Sequence, residues 1–301
     1  MTGLFDSTSG VLGRRLFTTT WVPVLVFGAL VTVLVLSATG WSLARGRWDG
    51  LSADLRGLAI VLFLAVTVLL TQLLAAVRPG IIRLFEGYWD AVPLLRRIAR
   101  RCARRLDDPV ERSRRPWSLP APEEMLPTRF GNIIRAAEQE ARRYGMDAAT
   151  AWPRLYVTLP ETFTTHFAAA AGAVDLAVTI SSLGAVFAVV GGGFAAVALP
   201  WYAAAYCAGG GALTCWLGHQ AAVRAAVAYG ELIRTAFDVH RWLLLDAMGL
   251  TRPTGLNAER EQWRQIHQVW QRGVPDAGQA HLLGYPPASG QQSDQGQVPS
   301  T

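Results

Sequence analysis

The side chains of this chain that carry chemistry are few and scattered. Its five histidines, His166, His219, His240, His267 and His281, fall in no H-E-x-x-H or comparable ligand spacing. Cys102, Cys207 and Cys215 form an odd set without metal-ligand spacing. Cys207 and Cys215 lie two turns apart on one predicted helix, too far for a mutual disulfide. All three read as small residues in a packed bundle. There is no nucleophile elbow, phosphate loop or dinucleotide fingerprint. Gly191–Gly193 and Gly209–Gly211 lack the lysine or acid those motifs need and suit close helix packing. No catalytic, cofactor-binding or metal-binding residue is therefore assigned, and the expectation is a protein that is not an enzyme and needs no cofactor.

Two sets of residues remain worth placing. From Leu176 to Val223 the chain has no Asp, Glu, Lys or Arg, and Asp175 and His219 stand near the cytoplasmic end of that run. Ionisable groups at membrane depth are costly and become functional candidates on that ground. Either these two are solvated at the interface, or they face each other across neighbouring helices to gate a pathway or relay protons. Thr179, Ser181 and Ser182, one turn deeper, would line such a path, or would bond to their own helix backbone. The second set is Arg96, Arg97, Arg100, Arg101, Arg104 and Arg105, paired rungs one turn apart on one helix face. They are either the solvated side of a bundle helix or a face for anionic inner-leaflet lipids or a protein partner.

The elements that must position these residues follow from the apolar runs. The chain has 301 residues, is 51% hydrophobic, carries a net charge of +6, and has arginine at all 28 of its basic positions. Integral proteins collect arginine on cytoplasmic loops, so this basicity does not argue for nucleic acid. A span needs about 20 mostly apolar residues. Residues 21–40, bracketed by Trp21 and Trp41, form the first, and 57–77, closed by Arg78 and Pro79, the second, with 41–56 an external loop. The uncharged run divides into spans 174–199 and 201–223, with Pro200 preferred for the turn over the glycine triplets. The first span is too long for a signal-peptide core and no A-x-A-like site follows it, so it is expected to be retained. Ten arginines flank the ends assigned to the cytoplasm against three in the first external connection, which puts both chain ends inside. The expected fold is thus all-α, a four-span cell-membrane protein whose extended helices form a cytoplasmic bundle.

After an N-terminal segment 1–20 and the first two spans, that bundle begins with the basic segment 78–172, 16 arginines against 11 acids. Phe85, Tyr88, Val92, Leu95, Ala99, Cys102 and Leu106 draw one helical seam, interrupted at Pro93. Five prolines make 107–127 a linker. Thr128 then suits the N-cap of a helix stopped by Gly145, and Thr158 to Glu161 resembles a capping box leading into the third span. In 224–272, a narrow polar stripe of Arg224, Glu231, Arg234, Asp238 and Arg241 predicts a largely covered helix ending at Gly249, packed on 81–106 and 128–145. A short helix capped by Asn257 follows it. From 273 to 301, Gly, Pro, Gln and Ser predict disorder.

Leu126-Pro127-Thr128-Arg129-Phe130-Gly131-Asn132, Arg143-Tyr144-Gly145-Met146-Asp147 and Trp152-Pro153-Arg154-Leu155, with Phe85-Glu86-Gly87-Tyr88-Trp89 before them, resemble a pattern seen in uncharacterised bacterial integral membrane proteins. That resemblance implies the membrane class and carries no activity or functional residue with it. The composite expectation is a membrane-anchored interaction or scaffold protein that meets the lipid bilayer and a protein partner or its own copies, but not nucleic acid. The alternative is a self-associating channel or transporter with its path along the last two spans.

Overall fold

The computed structural model describes residues 13–89, 93–106, 119–276 and 278–285, and the regular structure among them is entirely helical. Expectations for the first twelve residues, for 107–118 and for the tail from 286 fall outside the described residues. Helix α1 is Gly13–Thr39, α2 Trp41–Asp49, α3 Ala53–Glu86 and α4 Pro93–Leu106. The rest are α5 Arg129–Glu140, α6 Ala148–Tyr156, α7 Glu161–Val186, α8 Gly192–Ala198, α9 Trp201–Ala247 and α10 Leu256–Arg272. A π-helical segment, Phe187–Gly191, joins α7 to α8 without breaking the rod.

Among the described residues, three helical stretches are long and apolar enough to cross a membrane: Thr20–Thr39, Ala53–Glu86 and Glu161–Ala198. Their large apolar residues face outward, among them Val22, Leu30, Leu58, Val61, Leu69 and Val190. A water-soluble fold would have hidden these; a lipid-facing surface has no reason to. Residues 41–49, expected as loop, form the short helix α2, which exposes Trp41 and Trp48. Arg56 secures its end by donating to the carbonyls of Trp48 and Asp49 at 3.0 and 2.8 Å.

Proline fails to stop α3. Pro79 lies inside the helix, which runs on to Glu86, where Gly87 at φ 96° ends it. A proline removes one helical hydrogen bond, and packing of the next turns offsets that loss: Ile82 is buried, and Ile81 and Phe85 pack on the core.

The core lies toward one end of the long helices, where α3, α5, α6, α7, α9 and α10 meet. Its centre is a knot of rings. Phe167 of α7 lies 4.9 Å from both Trp152 of α6 and Tyr229 of α9, and Phe237 sits 6.0 Å from Trp152. All four side chains are fully buried. Burying rings of this size contributes most of what fixes the bundle. The most extensive pairing in the molecule is α7 against α9. They run antiparallel from the Leu199–Pro200 break, and glycines hold their backbones together. A Cβ at Gly184 would lie 2.6 Å from the Cys215 nitrogen, one at Gly211 2.5 Å from Ala188, and one at Gly218 2.7 Å from Ser181.

Capping explains most helix limits. The Thr128 hydroxyl accepts from the Gly131 amide at 3.0 Å, and Gly145 at φ 80° terminates the turn after α5. Leu250 donates to Leu245 and Gly249 to Asp246, the paired bonds of a Schellman end for α9. Two expected caps differ. Thr158 donates to the Leu155 carbonyl instead of capping α7, which starts after Pro160, and α10 starts after Gly255, with Asn257 already inside it. The expected disorder from Gly273 is not met as far as 285 in the described residues. Gln265 accepts from the Asp276 amide at 2.9 Å, and Thr251 reaches the Gly284 carbonyl. The seam over 81–106, expected to kink or break at Pro93, is broken there: α3 ends at Glu86, and α4 starts at Pro93.

Candidate functional site

Three chain segments come together at one end of the apolar stretches: Thr20 of α1, Leu74 to Ile81 of α3, and Asp175 to Thr179 of α7. Asp175 is 6% exposed and pairs with Arg78 at 2.7 Å, not with His219. Burying a lone carboxylate would cost several kcal/mol, on the order of 3–5, so an arginine across the helix interface is what makes the position tolerable. Arg78 precedes Pro79 by one residue, and with Thr20, Leu74, Ala75, Ile81, Val178 and Thr179 it lines a cavity of about 10 Å³. That is close to the least volume able to hold one water molecule. Thr179 and Thr20, both buried, give this pocket its polar wall.

The other predicted pathway residues serve packing. Ser181 donates to the Cys215 carbonyl at 2.8 Å, stitching α7 to α9 where Gly218 presses on it. Ser182 donates to Val178 on its own helix at 2.8 Å. His219 is half-buried with its ring 5.8 Å from that of Phe85, which in turn meets Phe130 edge-on at 6.3 Å. Of the five candidates, Asp175 and Thr179 share the small pocket, Ser181 and Ser182 are spent on backbone carbonyls, and His219 belongs to the aromatic seam.

The arginine face of α4 is exposed at Arg97, Arg100, Arg101, Arg104 and Arg105. The side chain of Arg96 lies outside the described residues. None of the α4 residues whose side chains are described joins the core or packs against it.

Sequence reasoning missed two polar clamps. In the first, Glu124 receives Arg135, Arg142 at 2.7 Å and Gln139 at 2.9 Å, tying the turn Pro122–Glu124 to α5. The Arg142 hydrogen bond, reinforced by Gln139 and Arg135 against the cost of burial, pulls the Glu124 pKa down to about 2. Glu138, beside Arg135 at 3.3 Å, is shifted the other way: burial raises its pKa and Arg135 offsets only part of that. In the second clamp, Arg241 of α9 pairs with Glu259 of α10 at 2.6 Å and lies over the Tyr144 ring at 4.0 Å. Burial works to raise the Glu259 pKa, but hydrogen bonds from Arg241 and Trp242 outweigh it and the carboxylate is held below its ordinary value. Tyr144 donates to Asp238 at 2.8 Å. The polar stripe contained Arg241 and Asp238, but nothing local pointed to Glu259 or Tyr144 as their partners.

The pattern residues of the middle segment turn out to meet. Thr128 donates to the Glu86 carbonyl at 2.9 Å, Gly131 packs directly on the Glu86 backbone, Gly87 packs on Pro127, and Asn132 bonds both backbone groups of Leu126. Gly145 likewise lies on the Arg260 backbone, while Arg154 covers the Trp270 ring at 4.4 Å. Their spacing serves docking of α3, α5 and α10. Among the described residues, no group of three or more His, Cys, Asp or Glu is gathered in metal-holding range. No family model, no curated protein and no solved structure matches the chain.

Proposed function

We propose that this is a four-span cell-membrane protein whose helical bundle acts as an interaction or scaffold module at the cytoplasmic face. The observation that carries the reading is the use to which the candidate pathway residues are put. Asp175 is engaged by Arg78, Ser181 and Ser182 by carbonyls, and the cavity beside them holds at most about one water. A conduit needs polar groups left free to exchange with its cargo. Much of the molecule instead forms a packed helical core shared by α3, α5, α6, α7, α9 and α10.

The fourth span rests on geometry. The first part of α9 lies antiparallel to α7 along its apolar length, joined by a turn at Leu199 and Pro200, so a bilayer crossed by α7 also contains α9. Glycine, tyrosine and tryptophan make this stretch less apolar than the other three. Trp201, Tyr202 and Tyr206 are strongly exposed at its outer end, as suits an interfacial belt. Arginine bias sets both ends and the bundle inside the cell.

Native mass spectrometry of the particle purified in mild detergent tests the proposal. The expected result is a defined complex of this chain with a different protein at fixed stoichiometry. A symmetric homo-oligomer free of other chains that supports ion flux in liposomes would overturn it in favour of a channel or transporter.

A further inference from the structure

We infer that α4 is a surface-bound helix that lies in the anionic headgroup layer of the protein's own membrane, its arginines on the phosphates and its Cys102 side turned toward the acyl chains. The inference rests on the proposed reading only in taking the bundle side as the anionic inner leaflet.

None of the α4 residues whose side chains are described belongs to the core or is buried. Yet α4 is sharply two-sided. At about 100° per residue, Arg97, Arg100, Arg101, Arg104 and Arg105 fall on one half of the helix, and Ala99, Cys102 and Leu106 on the other. A helix of this pattern free in water would expose its apolar half for no gain, and at 14 residues it is marginal on its own. No acid occurs anywhere in Pro93–Leu106, so intrahelical ion pairs cannot offset the crowding of like charges. An anionic bilayer surface supplies what both halves lack: phosphates for the guanidinium groups and a hydrocarbon boundary for the apolar side. Among possible occupants, this is the one whose charge complements the whole helix.

The connection permits that placement. Arg78 marks the level of the inner interface, and from there to Glu86 α3 rises about 12 Å into the bundle. Tyr88 and Trp89 fold back onto Arg83 and Leu84 at the end of α3, and the four steps from Trp89 to Pro93, about 13 Å when extended, are long enough to bring Pro93 back to the headgroups. A juxtamembrane basic helix fixed in this way would orient the bundle against the bilayer and make its posture depend on lipid charge.

Native Cys102 supplies the probe. The full-length chain, with Cys207→Ala and Cys215→Ala, is spin-labelled at Cys102 and reconstituted in nanodiscs of phosphatidylglycerol or of phosphatidylcholine. Collision rates with dissolved oxygen and with a neutral nickel chelate are then read. In phosphatidylglycerol, nickel-chelate collision is expected to fall at least about fivefold relative to phosphatidylcholine, as burial beneath the headgroups excludes a polar solute. The difference should collapse in 1 M salt and in the Arg97→Gln, Arg100→Gln, Arg101→Gln, Arg104→Gln variant. Equal rates in the two lipids, whether fast or slow, overturn the inference, because a free helix and a protein-covered one are both indifferent to lipid charge. Melting of the bundle reports separately whether the variant folds, and the lipid and salt comparisons on the parent chain stand without it. Both faces of a nanodisc carry the same lipids, so failure here is distinguishable from failure of the scaffold reading or its orientation.

Discussion

Arg78 and Asp175 lie far apart in the chain and meet only because α3 and α7 pack against each other. Each is tolerable because the other is there. Asp175→Asn and Arg78→Gln are each expected to destabilise the protein by about 3 kcal/mol, as removal of one partner leaves the other charge buried. The double variant should cost clearly less than the sum, read by thermal unfolding in detergent. Simple additivity would show that the two side chains are not coupled. The carboxylates of the first polar clamp should respond to pH with opposite signs. Glu124 has a depressed pKa, so its contribution is complete above about 4.5 and is lost as pH falls toward about 2. Glu138 has a raised pKa, so its contribution is complete below 4.5 and is lost as pH rises through the folded value. Glu138→Gln is therefore expected to raise the melting temperature at pH 7.5 and leave it unchanged at pH 4. Glu124→Gln should lower it at pH 7.5. A matching response of the two variants across this range would refute the assignment. The acids themselves were visible in the sequence; their opposite environments depend on which arginine each one reaches.

At the scale of the helices, glycine position decides how closely α7 and α9 approach. Gly210 and Gly211 are adjacent, yet a Cβ on Gly210 meets nothing within 4 Å while one on Gly211 would lie 2.5 Å from the Ala188 backbone. Gly211→Ala is expected to cost about 2 kcal/mol through overpacking. Gly210→Ala should be neutral or slightly stabilising, since alanine favours the helix. Equal melting temperatures for the two variants would mean that this crossing is looser than described. Helix types, the Thr128 cap, the Gly145 stop and the Gly249 end could all be read locally, because each depends on residues within one turn. The passage of α3 through Pro79 could not. A periodic pattern gives the apolar side of a helix but not whether anything covers it, and packing of Ile82 and Phe85 is what carries α3 past its proline.

For the molecule as a whole, the antiparallel run of α9 along α7 makes a specific topological statement. Ser42→Cys, in α2, is expected to react with a membrane-impermeant maleimide on intact cells, whereas Asp246→Cys, near the end of α9, should react only after permeabilisation. Reaction of both from outside would mean an even number of crossings between them and remove the four-span arrangement. Apolar run length, tryptophan at the run ends and arginine asymmetry made the membrane class, three of the spans and the expected orientation legible from the chain alone. These are properties of transfer between water and lipid and accrue residue by residue, without reference to a partner. What only the tertiary structure decided was pairing: Asp175 with Arg78 instead of His219, Arg241 with Glu259, and Gly131 on Glu86. Pairing depends on the register and crossing of helices far apart in sequence. That register is set by close backbone contact at a few glycines and by one knot of buried rings, which no local pattern encodes.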